Sequence, residues 1–302
     1  IMSEGFAKIF DGEPEKFAVG GTHIAYRTAG SGPALLLLHG YPQTMYMWHL
    51  VAAKLAEKFT LVLADLRGYG DSGKPQTDAQ HSPYSKREMA ADMAALMTYL
   101  GHQKFAVMGH DRGGRVAHRL ARDYEARLTG LAVLDIAPTL SMYENTDMRF
   151  AKAYYHWFFL IQPAPLPETL IGGDPEFYLR RKIGSWGASG EIHTKTAMAE
   201  YLRCFQGDTI HASCEDYRAA ASIDLEHDRA EAGRKLSIPV LALSGASSFV
   251  GKTIDIKAAW QEVCDNLETG DVPGGHFLAE ESPAALLAAC LPFFERCAKR
   301  SD

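Results

Sequence analysis

The segment Gly109-His110-Asp111-Arg112-Gly113 joins an apolar run at residues 105–108 to a stretch of helical periodicity, and this junction narrows the possible folds more than any other feature. Two glycines around one polar residue at a strand-to-helix turn permit a tight, strained corner. Such a corner lifts its central side chain above the strand ends, close to unsatisfied helix N–H groups. Asp is also a favoured helix N-cap, so a purely structural role is the alternative for Asp111. Around this corner, strand-length apolar runs alternate with helical patterns. Residues 34–38, 61–64 and 131–134 are continuously apolar, as expected of strands covered on both faces, and strand signals resume at 240–243 and 267–272. Residues 17–20 and 22–28 flank Gly20-Gly21 and read as a hairpin. Ser85 and Glu88 form a capping box, after which Met89, Met93, Leu96, Met97 and Leu100 share a face until Gly101 stops the helix. A final helix opens at Ser282-Pro283 and buries Leu286, Leu287, Cys290, Phe293 and Phe294. The pattern predicts an α/β fold with a mostly parallel, doubly wound sheet.

The pattern changes after residue 138. Tyr154-Tyr155-His156-Trp157-Phe158-Phe159, Pro163, Pro165 and Pro167 lie in a stretch without strand runs. A helical insertion over 139–225 is expected, dividing the α/β core into 1–138 and 226–302. With 31 Lys and Arg against 37 Asp and Glu, the formal charge is −6, which argues against a nucleic-acid partner. The apolar runs fall far short of the ~20 residues that cross a membrane. No secretory leader pattern opens the chain, and Ile1 before Met2 reads as an expression remnant. Five cysteines (Cys204, Cys214, Cys264, Cys290, Cys297) lack metal-ligand spacing; they are expected reduced and mostly buried in a cytoplasmic protein.

Asp at the centre of the corner implies a distinct chemistry. A carboxylate is ionised at neutral pH and attacks without a base. Attack at a saturated carbon displaces a leaving group and leaves an alkyl ester, and hydrolysis of that ester needs a general base. His276, after a strand run and Pro273-Gly274-Gly275, fits that role; His110 and His118 read as structural. The turn after residues 240–243 is Ser244-Gly245-Ala246-Ser247-Ser248, without a carboxylate. Asp135, ending the run 131–134, is therefore the candidate orienting acid, with capping of the next turn as the alternative. Arg112 and Arg115 share a helix face at i, i+3, although the dipole disfavours cations in a first turn. A bound carboxylate would offset that cost; surface ion pairing is the alternative. Composition alone reads residues 154–159 as a buried aromatic helix.

Three more segments strengthen the pattern: His39-Gly40-Tyr41-Pro42, Asp65-Leu66-Arg67-Gly68-Tyr69-Gly70-Asp71-Ser72 and Gly274-Gly275-His276-Phe277. With the corner at Asp111, they resemble the dehalogenases and epoxide hydrolases of the α/β-hydrolase fold across essentially the whole chain. The Arg112–Arg115 pair, His156-Trp157 and Cys214-Glu215-Asp216-Tyr217-Arg218 are most similar to the fluoroacetate dehalogenases. The resemblance implies an α/β-hydrolase fold with a helical cap, acting without cofactor or metal as a homodimer. It implies hydrolysis of a small 2-haloacid, fluoroacetate in particular, to glycolate and halide. Asp111 would be the nucleophile, His276 the base and Asp135 its orienting acid. Arg112 and Arg115 would clamp the carboxylate, His156, Trp157 and Tyr217 would receive the halide, and the backbone N–H groups of Tyr41 and Arg112 would form the oxyanion hole. An epoxide hydrolase uses the same Asp–His–Asp logic, with Tyr154, Tyr155 or Tyr217 protonating the opening oxygen. A ligand-binding receptor on a hydrolase scaffold would need no complete nucleophile, base and acid set.

Overall fold

A computed structural model describes residues 9–187 and 192–299; Ile1 and Met2 lie outside them. Each segment read as a strand forms one: β1 (Glu15–Val19), β2 (Thr22–Ala29), β3 (Ala34–Leu38), β4 (Thr60–Ala64), β5 (Phe105–His110), β6 (Leu128–Leu134), β7 (Val240–Gly245) and β8 (Leu267–Val272). They form one sheet in the order β1-β2-β4-β3-β5-β6-β7-β8. β1 and β2 make the expected hairpin and β2 pairs antiparallel with β4, while β3 through β8 are parallel. The five residues of β3 and the six of β5 are buried throughout, because helices cover both sheet faces.

Helix α1 (Lys86–Tyr99) is capped by the Ser85 side chain, which accepts the Glu88 N–H. Gly101 closes it at φ +83°. Helix α2 (Asp111–Tyr124) starts directly at the end of β5 and packs against α1, β5 and β6. Between β6 and β7 the described residues form eight helices and no strand. Three of them reach the site: α3 (Tyr155–Phe159), α4 (Pro175–Trp186) and α5 (Asp208–Ala220). The last helix, α6 (Pro283–Lys299), buries Leu286, Cys290, Phe293 and Phe294 as expected, but Leu287 is only partly buried. All five cysteines are buried. Among the described residues, no helix is long and apolar enough to cross a membrane.

Two contacts set the geometry on which the site stands. Asp65 accepts the Met45 and Asp71 N–H groups at 2.8 and 2.9 Å, joining the end of β4 to the loop after β3. Gly113 brings α2 against β3: a Cβ there would lie 2.3 Å from the His39 carbonyl oxygen and 2.4 Å from that of Leu38. Backbone on both sides of that contact cannot move aside cheaply. Gly113→Ala is expected to destabilise the fold by about 2 kcal/mol or more, read as a lower denaturation midpoint; wild-type stability would show that α2 can withdraw.

Candidate active site

Asp111 sits at φ +46°, a left-handed conformation that costs a non-glycine residue and occurs mainly where surrounding contacts enforce it. The contacts here are severe, since a Cβ on Gly109 would meet the Gly113 carbonyl oxygen at 2.3 Å. The Asp111 side chain is 3% exposed, and its Oδ2 accepts the Tyr41 backbone N–H at 2.9 Å. Burial raises its carboxyl pKa. The nearby His276, His110, Arg112 and Arg115 outweigh that effect and hold the pKa below its ordinary value, so the group is an anion removed from water.

His276 follows β8 and places Nδ1 2.6 Å from Asp135 Oδ2. The other Asp135 oxygen accepts the Gly245 N–H at 2.9 Å and the Ser248 hydroxyl at 2.6 Å. The turn after β7, which carries no carboxylate of its own, thus supplies the donors that hold a carboxylate from β6. Asp135 also takes a positive φ, +53°. Burial lowers the His276 pKa, but the Asp135 hydrogen bond, the Asp135 charge and Asp111 raise it further, leaving it above the ordinary histidine value. His110 is bonded through Nε2 to the His276 carbonyl at 2.7 Å. Burial, then the neighbouring His276, push His110 down to about 3, so it is a neutral support. His118 receives the Arg122 Nε–H at 3.3 Å and packs on Trp260, away from this group.

The two arginines of α2 have different surroundings. Arg112 is fully buried and forked onto Asp216 of α5, with Nε–Oδ2 and Nη2–Oδ1 both 2.8 Å. Asp216 also accepts Tyr69 Oη at 2.6 Å and is paired with Lys86. One edge of Arg112 is therefore engaged by protein, while Nη1 has no partner. Arg115 has only neutral acceptors: Ala137 O at 3.1 Å, Thr139 Oγ1 at 2.9 Å and the weakly accepting Met142 Sδ at 3.1 Å. Among the described residues it makes no ion pair within 4 Å, and its Nε has no partner. Burial, then Arg112, lower its pKa. An anion is what this guanidinium lacks.

The expected halide residues converge on the same space. The His156 ring lies 5.5 Å from that of Tyr217, and Trp157 lies 6.4 Å from Tyr217. Arg112 covers the Tyr217 ring at 4.1 Å and Arg115 covers Trp157 at 4.7 Å. His156 Nδ1, Trp157 Nε1 and Tyr217 Oη are buried without hydrogen-bond partners, although buried polar groups are ordinarily satisfied. Burial first, then Lys182 and Arg112, keep the His156 imidazole neutral. The arrangement gathers an anionic carboxylate, two guanidinium ions and several idle donors away from the protein surface. It suits attack by Asp111 on a small anionic molecule whose other end needs donors. The described residues that could share a metal, Asp71, Glu200 and Cys204, lie elsewhere, and Arg203 already bridges the two carboxylates at 2.7 Å each.

Fold and site together define a hydrolase of the α/β-hydrolase fold. The chain matches that family over residues 33–283 and belongs to it. It is similar to a fluoroacetate dehalogenase of Burkholderia sp., 43% identical over 93% of this chain and 91% of the relative. It is also similar to a soluble epoxide hydrolase of Corynebacterium sp. (strain C12), 39% identical over 91% of this chain and 95% of the relative. Among solved structures, an α/β hydrolase of Nostoc sp. PCC 7120 superposes with a TM-score of 0.93 at 50% identity, covering 95% of this chain and 99% of that one.

Sequence reading missed Asp216 as the partner of Arg112, and Gly245 and Ser248 as donors to Asp135. These pairs are 104, 110 and 113 residues apart, so no local spacing marks them; an acid on a helix face of small residues (Ala212, Ser213, Ala219, Ala220) was the available hint for Asp216. The site yields a direct titration test. The His276 ring of the free protein, followed by NMR, is expected to titrate above ~6.5, the ordinary histidine value. Asp135→Asn removes the two largest raising influences and leaves burial, so the midpoint should fall below that value; an unchanged midpoint would refute the pairing.

Proposed function

We propose that the protein hydrolyses 2-haloacetates, fluoroacetate in particular, to glycolate and halide through an ester on Asp111. The carrying observation is Arg115: a buried guanidinium beside Asp111, with neutral acceptors and no carboxylate within ion-pair reach. A substrate carboxylate supplies the missing charge there, and Arg112 contributes Nη1. Tyr41 holds Asp111 Oδ2, which leaves Oδ1 to attack the halogen-bearing carbon from the side opposite the C–halogen bond. The new bond is C–Oδ1, the broken bond is carbon–halogen, and its electron pair leaves with the halide toward His156, Trp157 and Tyr217.

Hydrolysis follows on the other face of the chemistry. His276, oriented by Asp135, takes a proton from water, and the hydroxide attacks Cγ of Asp111. The oxygen that gains charge is Oδ2, already bonded to the Tyr41 N–H, with the Arg112 N–H as the second expected oxyanion donor. Collapse returns the carboxylate and releases glycolate, and one water oxygen remains on Asp111. In this scheme the helices of residues 139–225 act as the cap that keeps bulk water out.

The epoxide-hydrolase reading is favoured by the Corynebacterium relative and by Tyr217 Oη and His156 Nδ1, unpartnered donors that could meet an opening epoxide oxygen. It gives Arg115 no ligand, because an epoxide is neutral. A fluoride electrode with fluoroacetate, compared with chloroacetate and a styrene-type epoxide, separates the two. Haloacetate turnover is expected, and turnover of the epoxide alone would overturn the proposal. Arg115→Met should lower haloacetate kcat/KM by about a hundredfold or more, the usual scale for stripping a buried charge of its partner. His276→Asn should accumulate an adduct whose mass maps to Asp111; absence of adduct during turnover of the wild type would exclude the two-step route.

A further inference from the structure

Lys182 of α4 is 1% exposed, yet its Nζ has no hydrogen-bond partner and no ion pair within 4 Å among the described residues. The other buried lysine, Lys86, is paired with Asp216 and Asp224. Lys182 rests instead on two aromatic faces, 3.9 Å from the Tyr155 ring and 4.4 Å from the Trp186 ring. Ring faces compensate an ammonium only in part for lost water. Burial and Arg181 push it down to about 7, while Asp111 pulls it back; a seated anion would favour the charged form further.

Trp186 connects this ammonium to the reaction space. Its ring lies 4.5 Å from His156 and 5.2 Å from His276, and both Trp186 Nε1 and His156 Nδ1 are buried without partners. A cation, an indole N–H and an imidazole therefore meet around one ring, all lacking an acceptor. The proposed halide donors His156, Trp157 and Tyr217 carry no formal charge. When Asp111 becomes an ester, its full negative charge passes to the halide, and Lys182 is the cation on the His156 side of the chamber. We infer that Lys182 and Trp186 form a second anion site beside the halide pocket, which takes the departing halide before release and sharpens the enzyme's reach toward poor leaving groups. This rests on the haloacetate reading for its role in catalysis, but not for anion binding itself.

Sodium bromide titrated into the full chain, with tryptophan fluorescence as the readout, tests it directly. Lys182→Met should weaken bromide binding about tenfold or more, the scale of one lost charge at short range in a protein interior, with partial recovery in Lys182→Arg. It should also lower kcat for fluoroacetate more than for chloroacetate, while the melting temperature holds or rises because an unpaired buried charge is gone. Unchanged bromide affinity in Lys182→Met overturns the inference, even if haloacetate turnover remains. A lower melting temperature with unchanged bromide affinity also overturns it, assigning Lys182 to packing. Lys182-dependent bromide binding in a wild type that does not turn over haloacetates supports the anion site and overturns the haloacetate reading instead.

Discussion

A carboxylate held charged without water is the constraint from which the rest of this site follows. Asp111 is exposed to neither solvent nor a single dedicated counter-ion. Its ionisation is sustained by a ring of influences: one backbone N–H from Tyr41, two guanidinium ions on its own helix and an imidazole across the chamber. None of these could be placed without the positive φ at Asp111 and the close contact between α2 and β3 at Gly113. The strain of the turn and the charge of its side chain are thus linked, since relaxing the backbone would move the carboxylate away from the donors that keep it ionised.

The same economy governs the charges around it. Asp135 is held for His276 by two donors from the end of β7, and His276 meets it from the end of β8. Arg112 spends one edge on Asp216, which leaves the remaining donor aimed by a rigid fork rather than by a freely rotating chain. Among the described residues, Arg115 and Lys182 have no such partner. Buried cations without acids are costly in a fold that only needs to be stable; they are reasonable in one that receives anions.

How much of this was legible in the sequence follows the range of the interactions. The central strands β3 to β7 were marked by apolar runs, because burial on both faces removes polar residues locally, while β1 and β2 were marked by the glycine turn between them. Asp111, His276 and Asp135 were found from turn chemistry at strand ends, which is also local. Arg112 and Arg115 were visible as cations in a helix turn that disfavours them. What stayed hidden was pairing at long range. Nothing near Arg112 announces Asp216, and nothing near Ser248 announces Asp135; its hydroxyl also caps the following helix through the Gly251 N–H. Lys182 carries no local mark of its burial, which depends on Tyr155 and Trp186 folding over it.

The Asp216 junction also bears on how the two halves of the molecule are held to each other. Asp216 and Asp224 belong to the helices between β6 and β7, whereas Arg112, Tyr69 and Lys86 belong to the sheet side. Lifting the helices away as a rigid flap would strand two buried cations at once, a penalty of several kcal/mol for each. The two halves are therefore strapped together beside the nucleophile, by charge rather than by a loop hinge.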